Sequence, residues 1–407
     1  MRVSECMVAV KRKRRVFVTG MGVVSPLGPN VPETERALLA GKDAVSEVTL
    51  FDVSRTRCKT AGQVEGAWLS EAVPRSRKAN RLHRSARMVT LALREALNGA
   101  GAAVRPERLV IATSSGGMSN GETYYRETLR SGSRRRFAEY VANYTPQKPV
   151  LDALEAVGLR LPVQILTNAC SSGANAVGHA FELVRSGLCG CVLCGGYDPL
   201  AELVFVGFDS LQASTPEMIR PFDRGRTGLV LGEGAAVLVL EDETSALARG
   251  AEPLAELVGY GAATDTFHLT QPDPSGIGIK LAMERALDTA GVDPGEIGYI
   301  NCHGTATALN DATEGAAISA LFPHRVAASS TKSMMGHALG GAGAIEAAVC
   351  VLALRGQFLP PNLHFREPDP GWTFEVVANE ARPAAVEYAL SNSIGFGGVN
   401  ASLLFRR

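Results

Sequence analysis

Four segments of the sequence carry side chains suited to bond chemistry. The first is Thr167-Asn168-Ala169-Cys170-Ser171-Ser172-Gly173-Ala174-Asn175, which lies between an apolar strand-like run, Val163 to Leu166, and a helical rhythm through Val177, Ala180, Phe181 and Val184. Cys170 is thus expected where a strand gives way to a helix. A thiol attacks as thiolate, and the free N–H groups and positive end of a helix N-terminus lower its pKa, so this placement favours a nucleophile. The competing reading is a small buried cysteine of the core. The other segments are His303 in His-Gly-Thr, Lys332 and His337 in Lys-Ser-Met-Met-Gly-His, and the glycine-rich run Leu390 to Asn400 that holds Phe396. That last run is expected to be a loop suited to close approach of backbone to a ligand.

Strands and helices must bring these segments together. Val16 to Gly28 begins as a buried strand and enters a Gly-x-Gly sequence, but Ser25 stands where a dinucleotide fingerprint has its third glycine, and Pro26 opposes a phosphate-cradling helix. No nicotinamide site is expected there. Arg81 to Ala100 reads as an amphipathic helix and Leu109 to Thr113 as a strand. Cys191-Val192-Leu193-Cys194 has redox or zinc spacing, yet it lies in an apolar run without a second pair and reads as core. From about Ala255 the pattern starts again: a helix over Leu281 to Ala290, strands at Ile297 to Asn301 and Val326 to Ser329, then a small-residue helix from Leu339 to Leu354. The consequence is a duplicated α/β chain whose halves meet at a shared cleft. Residues 1–14 read as a basic extension, 15–250 as the half with the nucleophile, and 251–407 as the half with the His and Lys motifs.

The 407 residues are 46% hydrophobic and 20% charged, with 41 basic against 41 acidic side chains. That balance draws the chain neither to nucleic acid nor to an anionic membrane. Local patches remain: Arg130 and Arg134 to Arg136 form a basic cluster that could dock an acidic partner or simply face solvent. Eight cysteines without regular spacing fit a reducing, cytoplasmic setting rather than a disulfide framework. No uninterrupted apolar stretch reaches the roughly 18 to 20 residues of a spanning helix, so membrane insertion is not expected.

Taken in order, Val18-Thr19-Gly20-Met21-Gly22-Val23-Val24-Ser25-Pro26-Leu27-Gly28, Ala169-Cys170-Ser171-Ser172-Gly173, Arg220-Pro221-Phe222-Asp223, His303-Gly304-Thr305, Ser330-Thr331-Lys332-Ser333 and Ser391-Asn392-Ser393 resemble the β-ketoacyl-acyl carrier protein synthases, in the elongating type with a Cys-His-His site. The likeness runs from Val16 to Phe405. It implies the thiolase-like α/β fold, two βαβαβαββ halves in a five-layered α-β-α-β-α core. It also implies decarboxylating Claisen condensation without a cofactor, in fatty acid or polyketide chain elongation. The implied partner is an acyl carrier protein bearing acyl and malonyl groups, and the implied assembly is a homodimer, with a heterodimer as the alternative.

By the same resemblance Cys170 takes the acyl group, with the N–H groups of Cys170 and Phe396 as oxyanion donors. His303 and His337 hold the malonyl thioester carbonyl as carbon dioxide leaves, because an enolate oxygen needs donors that are not strongly acidic. Lys332 supports them. Asp311 and Glu314 match acidic positions of the family, with Glu314 expected to partner Lys332, although both also suit a helix N-terminus. Phe396 is the expected gate between acyl and malonyl sites. Asn301, Glu346, Ser391 and Asn400 match a monovalent cation site, for which a plain hydrogen-bond network is the alternative.

The sequence departs from the family where Ile394 replaces Phe and where Thr227 and Leu229 replace Asp and Phe. Cys302 also stands where a smaller residue is usual, and Arg126 to Pro162 lacks the housekeeping pattern. These departures point to a specialised enzyme with secondary-metabolite or polyene-type acyl chains. A non-catalytic chain-length-setting subunit would lack the nucleophile, whereas Cys170 is present. A thiolase would carry a second cysteine near the C-terminus, and none follows Cys350.

Overall fold

The computed structural model describes residues 13–70, 72–73 and 82–407. Most of the expected basic extension lies outside the described residues. Within them Arg14 is already tethered, its N–H donating to the Arg185 carbonyl at 3.0 Å and its guanidinium to Asp242 at 3.1 Å.

Ten strands form two equivalent sets. The first is β1 (Val16–Val24), β2 (Arg108–Ala112), β3 (Val163–Leu166), β4 (Cys191–Asp198) and β5 (Gly234–Asp242); the second is β6 (Ala255–Thr264), β7 (Ile297–Asn301), β8 (Ala327–Ser329), β9 (Tyr388–Gly395) and β10 (Val399–Arg406). Their spatial orders are β3-β2-β4-β5-β1 and β8-β7-β9-β10-β6. In each set three strands run parallel and the other two pair antiparallel. Val16–Val18 of β1 pairs with Ala255–Leu257 of β6, which joins the two sheets. The repeat expected from the sequence is thus a repeat of connectivity.

Five helices complete the layers: α1 (Arg84–Ala100), α2 (Ser172–Arg185), α3 (Ile277–Ala290), α4 (Ala308–Leu321) and α5 (Ala342–Gly356). Helix α1 buries one face (Met88, Val89, Ala92, Leu93, Ala96) on the outside of the first sheet, while α3 and α4 cover the outside of the second. Between the sheets lie α2 and α5. Every residue of α5 from Ala342 to Leu354 is buried, because a helix with a sheet on either side has no face left for water. The segment Leu339–Gly356 is long and apolar enough to cross a membrane, but 89% of it is buried inside the protein, where it serves as a core helix.

The middle helices approach to backbone contact. A Cβ on Gly173 would lie 2.7 Å from the Ala344 nitrogen, and one on Gly343 would lie 2.5 Å from the Ala174 nitrogen. The small residues around Cys170 are therefore a packing requirement. The glycines of β1 have a similar origin, since a side chain on Gly20 or Gly22 would strike the α1 backbone at Ala96 or Ala92. The strand continues through them, with one shift of register between Val18 and Gly20, and no phosphate loop forms. Cys191 and Cys194 are both buried, but in different core clusters on opposite faces of β4, so they do not form a pair.

Overpacking a close backbone contact costs about 1–3 kcal/mol. Gly343→Ala should accordingly lower the urea midpoint of unfolding, whereas Gly295→Ala, whose Cβ enters open space, should leave it unchanged.

Candidate active site

The chain turns sharply between β3 and α2. Ala169 adopts a φ of 58°, a left-handed conformation that strains a residue with a Cβ. Ser172 fixes the turn by accepting the Asn168 N–H at 2.8 Å and donating to the Ala169 carbonyl at 2.5 Å. Cys170 is thereby held beside the start of α2, at the wall of a cavity of about 330 Å³, with 6% of its surface exposed. The Phe396 N–H faces its sulfur and favours the thiolate. Burial nevertheless pushes the thiol up to about 12, with Asp198 and Glu346 adding to the effect while Lys332 and the Phe396 N–H oppose it. This overturns the expectation of a lowered thiol pKa, because loss of water outweighs the nearby positive charge.

His303 follows β7. Its N–H and that of Gly304 both donate to Glu314 of α4, each at 2.8 Å, and Asn392 adds a third bond at 3.2 Å. Burial raises the Glu314 carboxyl to about 7 against these bonds. Asp311, one turn earlier, accepts the N–H groups of Phe222 at 2.7 Å and Ala306 at 3.1 Å. The two acids therefore staple the His303 loop to α4. Glu314 is not the partner of Lys332: its oxygens are occupied by the loop, and Lys332 forms its ion pair with Glu346 of α5, both side chains 1% exposed.

His337 is pinned by its backbone. Its N–H donates to the Val230 carbonyl at 2.8 Å and its carbonyl accepts from Gly232 at 2.9 Å. The His303 and His337 rings stand edge to face, 5.2 Å between centroids. Both His337 nitrogens and Nδ1 of His303 are buried without a protein partner. Burial and the Lys332 cation hold both imidazoles well below the ordinary value, and so neutral near pH 7.

Phe396 opens a short turn, Phe396–Gly398, in which Gly397 takes a φ of 79°. Only this turn is loop; the rest of the expected glycine-rich segment belongs to β9 and β10, whose alternating side chains fill the core. The Phe396 ring stacks on Phe208 with centroids 5.6 Å apart. No sequence signal marked Phe208.

The four expected cation ligands do not converge. Ser391 pairs with Asn301 across β9 and β7 and faces the same way, whereas Asn400 pairs with Ile394, an odd number of positions along, and so faces the other side. There Asn400 donates to the Gly398 carbonyl at 2.8 Å. Asn301 Oδ1, Glu346 Oε2 and Ser391 Oγ are buried without partners, which suits an oxygen-liganded cation held by those three alone. Three of the departures from the expected pattern gather at the site, Thr227, Leu229 and Ile394 lining the cavity with Cys170, His303 and His337, whereas Cys302 and the segment Arg126 to Pro162 do not line it. Asp198, unmarked by any motif, closes the network behind Cys170 as the one carboxylate at the end of the apolar strand β4.

Residues 13–246 match the model for the beta-ketoacyl synthase N-terminal domain and residues 254–366 that for the C-terminal domain. The chain is 35% identical to 3-oxoacyl-[acyl-carrier-protein] synthase 2 of Staphylococcus aureus (strain COL), over 98% of this chain and 99% of that protein. It superposes on the ishigamide ketosynthase/chain length factor with a TM-score of 0.91 at 34% identity, covering 97% and 99% of the two chains. For the ketosynthase ApeO in complex with its chain length factor ApeC from Xenorhabdus doucetiae the TM-score is 0.84 at 29% identity, covering 97% and 98%.

Lys332→Met combined with Glu346→Gln removes the buried cation without stranding a carboxylate. The sign follows from the lowered imidazole values: in the wild type both rings should stay neutral at about pH 6, where an ordinary imidazole with a pKa of about 6.5 is mostly protonated. In the double variant their protonation should begin at higher pH. Nitrogen-15 spectra of histidine-labelled protein would show this, and an unchanged titration would remove Lys332 from the control of the pair.

Proposed function

The chain belongs to the beta-ketoacyl synthase family of carbon–carbon bond-forming acyltransferases, and from that premise we propose that Cys170, His303 and His337 divide an elongating condensation between the two halves of the fold. The observation that carries this reading is the shared cavity, where a thiol from one half meets two neutral, unpartnered imidazoles from the other. Cys170 sulfur attacks the thioester carbonyl of an acyl carrier protein, the carrier thiolate leaves with the thiol proton, and an acyl-enzyme remains. The oxyanion of this step is met by the N–H groups of Cys170 and Phe396. A malonyl thioester then loses carbon dioxide. The electron pair left behind is spread onto the thioester oxygen, where imidazole N–H donors of His303 and His337 stabilise it without protonating it. The carbanion equivalent attacks the acyl carbonyl, and the Cys170 thiolate is expelled beside the Lys332 cation.

Glu314 and Asp311 act here by fixing the His303 loop. Asn301, Glu346 and Ser391 would hold a monovalent cation that offsets buried negative charge. Phe396 gates the cavity, since no Cβ contact restrains Gly397 beside it. Thr227 and Leu229 favour a specialised polyketide or polyene-type acyl chain over a housekeeping one, as Thr227 pairs its hydroxyl with Thr215 at 2.6 Å in place of a charge. An acyl carrier protein is the proposed donor, and the cytoplasm the proposed setting.

The helix Met118–Ser131 has no buried residue and exposes Tyr125 and Leu129, a face suited to a second chain of the same fold. A homodimer is the first reading. A heterodimer is favoured by the likeness to ketosynthases found with chain length factors. Light scattering on the purified chain should give twice the monomer mass, and a monomer would turn the assignment to the heterodimer.

Incubation with acyl carrier protein thioesters should add the acyl mass to the wild type and not to Cys170→Ser; persistence of the adduct would remove the nucleophile. His303→Ala and His337→Ala should still acquire the acyl mass while carbon dioxide release from the malonyl carrier falls by about 10²-fold or more, the scale of lost oxyanion donors. Normal condensation in either variant would end the enolate role.

A further inference from the structure

Asp198 is fully buried at the end of β4, and its carboxylate gathers hydrogen bonds from two segments. Thr113 Oγ1 donates at 2.5 Å, the Ser114 N–H at 2.9 Å, and the Ser115 N–H and hydroxyl each at 2.8 Å, all from the loop after β2. The remaining donor comes from the other half of the fold: the Gly340 N–H, at 2.7 Å. Gly340 lies three residues beyond His337. Ser114 in turn donates its hydroxyl to the carbonyl of Ala169, the residue before Cys170, at 3.3 Å. One carboxylate thus links the turn that aims the thiol to the segment that carries the second imidazole.

The packing leaves that link no slack. A Cβ on Gly340 would lie 2.7 Å from the Ser114 nitrogen and 2.8 Å from the Thr113 carbonyl carbon, and one on Gly173 would lie 2.8 Å from the Gly340 carbonyl oxygen. Desolvating a carboxylate is costly, and burial does raise the Asp198 carboxyl against its hydrogen bonds. A serine or asparagine could bridge two segments at lower cost, but neither accepts bonds from all these donors at once.

We propose that Asp198 is a positioning residue that sets the spacing between Cys170 and His337 across the two halves and keeps a negative charge beside the resting thiol. The inference rests on the condensing role of those two residues. Other groups that face the thiol are the Lys332 cation, which opposes Asp198, the Glu346 carboxylate, which acts with it, and the neutral His303 and His337 rings.

Two variants separate charge from spacing. Asp198→Asn removes both the charge and the full set of acceptors, whereas Gly340→Ala pushes the halves apart and leaves the charge. Each is assayed in the full-length protein by peptide mapping of Cys170 alkylation with iodoacetamide against pH, by acyl mass gain, and by carbon dioxide release from malonyl carrier protein. Asp198→Asn should move the alkylation midpoint to lower pH and reduce carbon dioxide release at least tenfold. Gly340→Ala, whose Cβ would also lie 2.9 Å from Asp198 Oδ2, should keep the acyl mass gain and move the midpoint less than Asp198→Asn does, while losing carbon dioxide release to a similar extent. A wild-type midpoint in Asp198→Asn would overturn the charge role, and release within twofold of wild type in both variants would overturn the spacing role. Should one variant fail to fold, as judged by its circular dichroism melt, the other decides the part it tests. Failure of the wild type to acylate at Cys170 would instead overturn the condensing reading itself.

Discussion

The close approach of the two middle helices is the constraint on which the rest of the molecule depends. Neither half carries both the thiol and the pair of imidazoles; the turn before α2 brings Cys170 and the segment before α5 brings His337. Backbone contact through Gly173 and Gly343 lets those two helix starts share one cavity. A few ångströms more would separate the thiol from the imidazoles, and positioning errors of that size remove most of the benefit of holding reacting groups together. The two outer helical layers have the complementary task of covering the far faces of the sheets, and ordinary amphipathic helices suffice for it.

That dense interior fixes the electrostatics as well. A lysine with 1% of its side chain exposed persists because Glu346 meets it, and the pair is retained at a desolvation cost that a hydrophobic pair would avoid. Its position explains the retention. The unbalanced part of the Lys332 field falls on both imidazoles, where it disfavours protonation, and on Cys170, where it favours the thiolate. A single fixed charge therefore biases the imidazoles toward the neutral form and the thiol toward the charged one.

Local patterns made a large part of this legible. The strand-to-helix junction at Cys170, the core reading of Cys191 and Cys194 and the internal repeat all follow from periodicity, which short-range sequence records well. The partners of buried charges do not. Glu314 and Glu346 are both acids on helices of the second half, and only the packing shows that the first turns back onto its own loop while the second faces Lys332. Asn400 illustrates the same limit in a strand: one position of register decides the face, and the glycine-rich composition around it suggested a loop rather than two paired strands. Phe208 was silent because its role depends on a ring 188 positions away in the chain.

The thiol itself changes most between the two views. Sequence placed Cys170 at a helix start and so implied a ready thiolate, but the buried site holds the resting thiol protonated, up to about 12. A thiolate that persisted in the empty cavity would be exposed to oxidation and to stray electrophiles. The N–H of Phe396 and the Lys332 charge cannot overcome desolvation by themselves; in the proposed reaction an arriving thioester would offer its leaving group as the acceptor of the proton. On that proposal reactivity is coupled to occupancy, and the burial that suppresses the free thiolate is the same burial that keeps the imidazoles neutral.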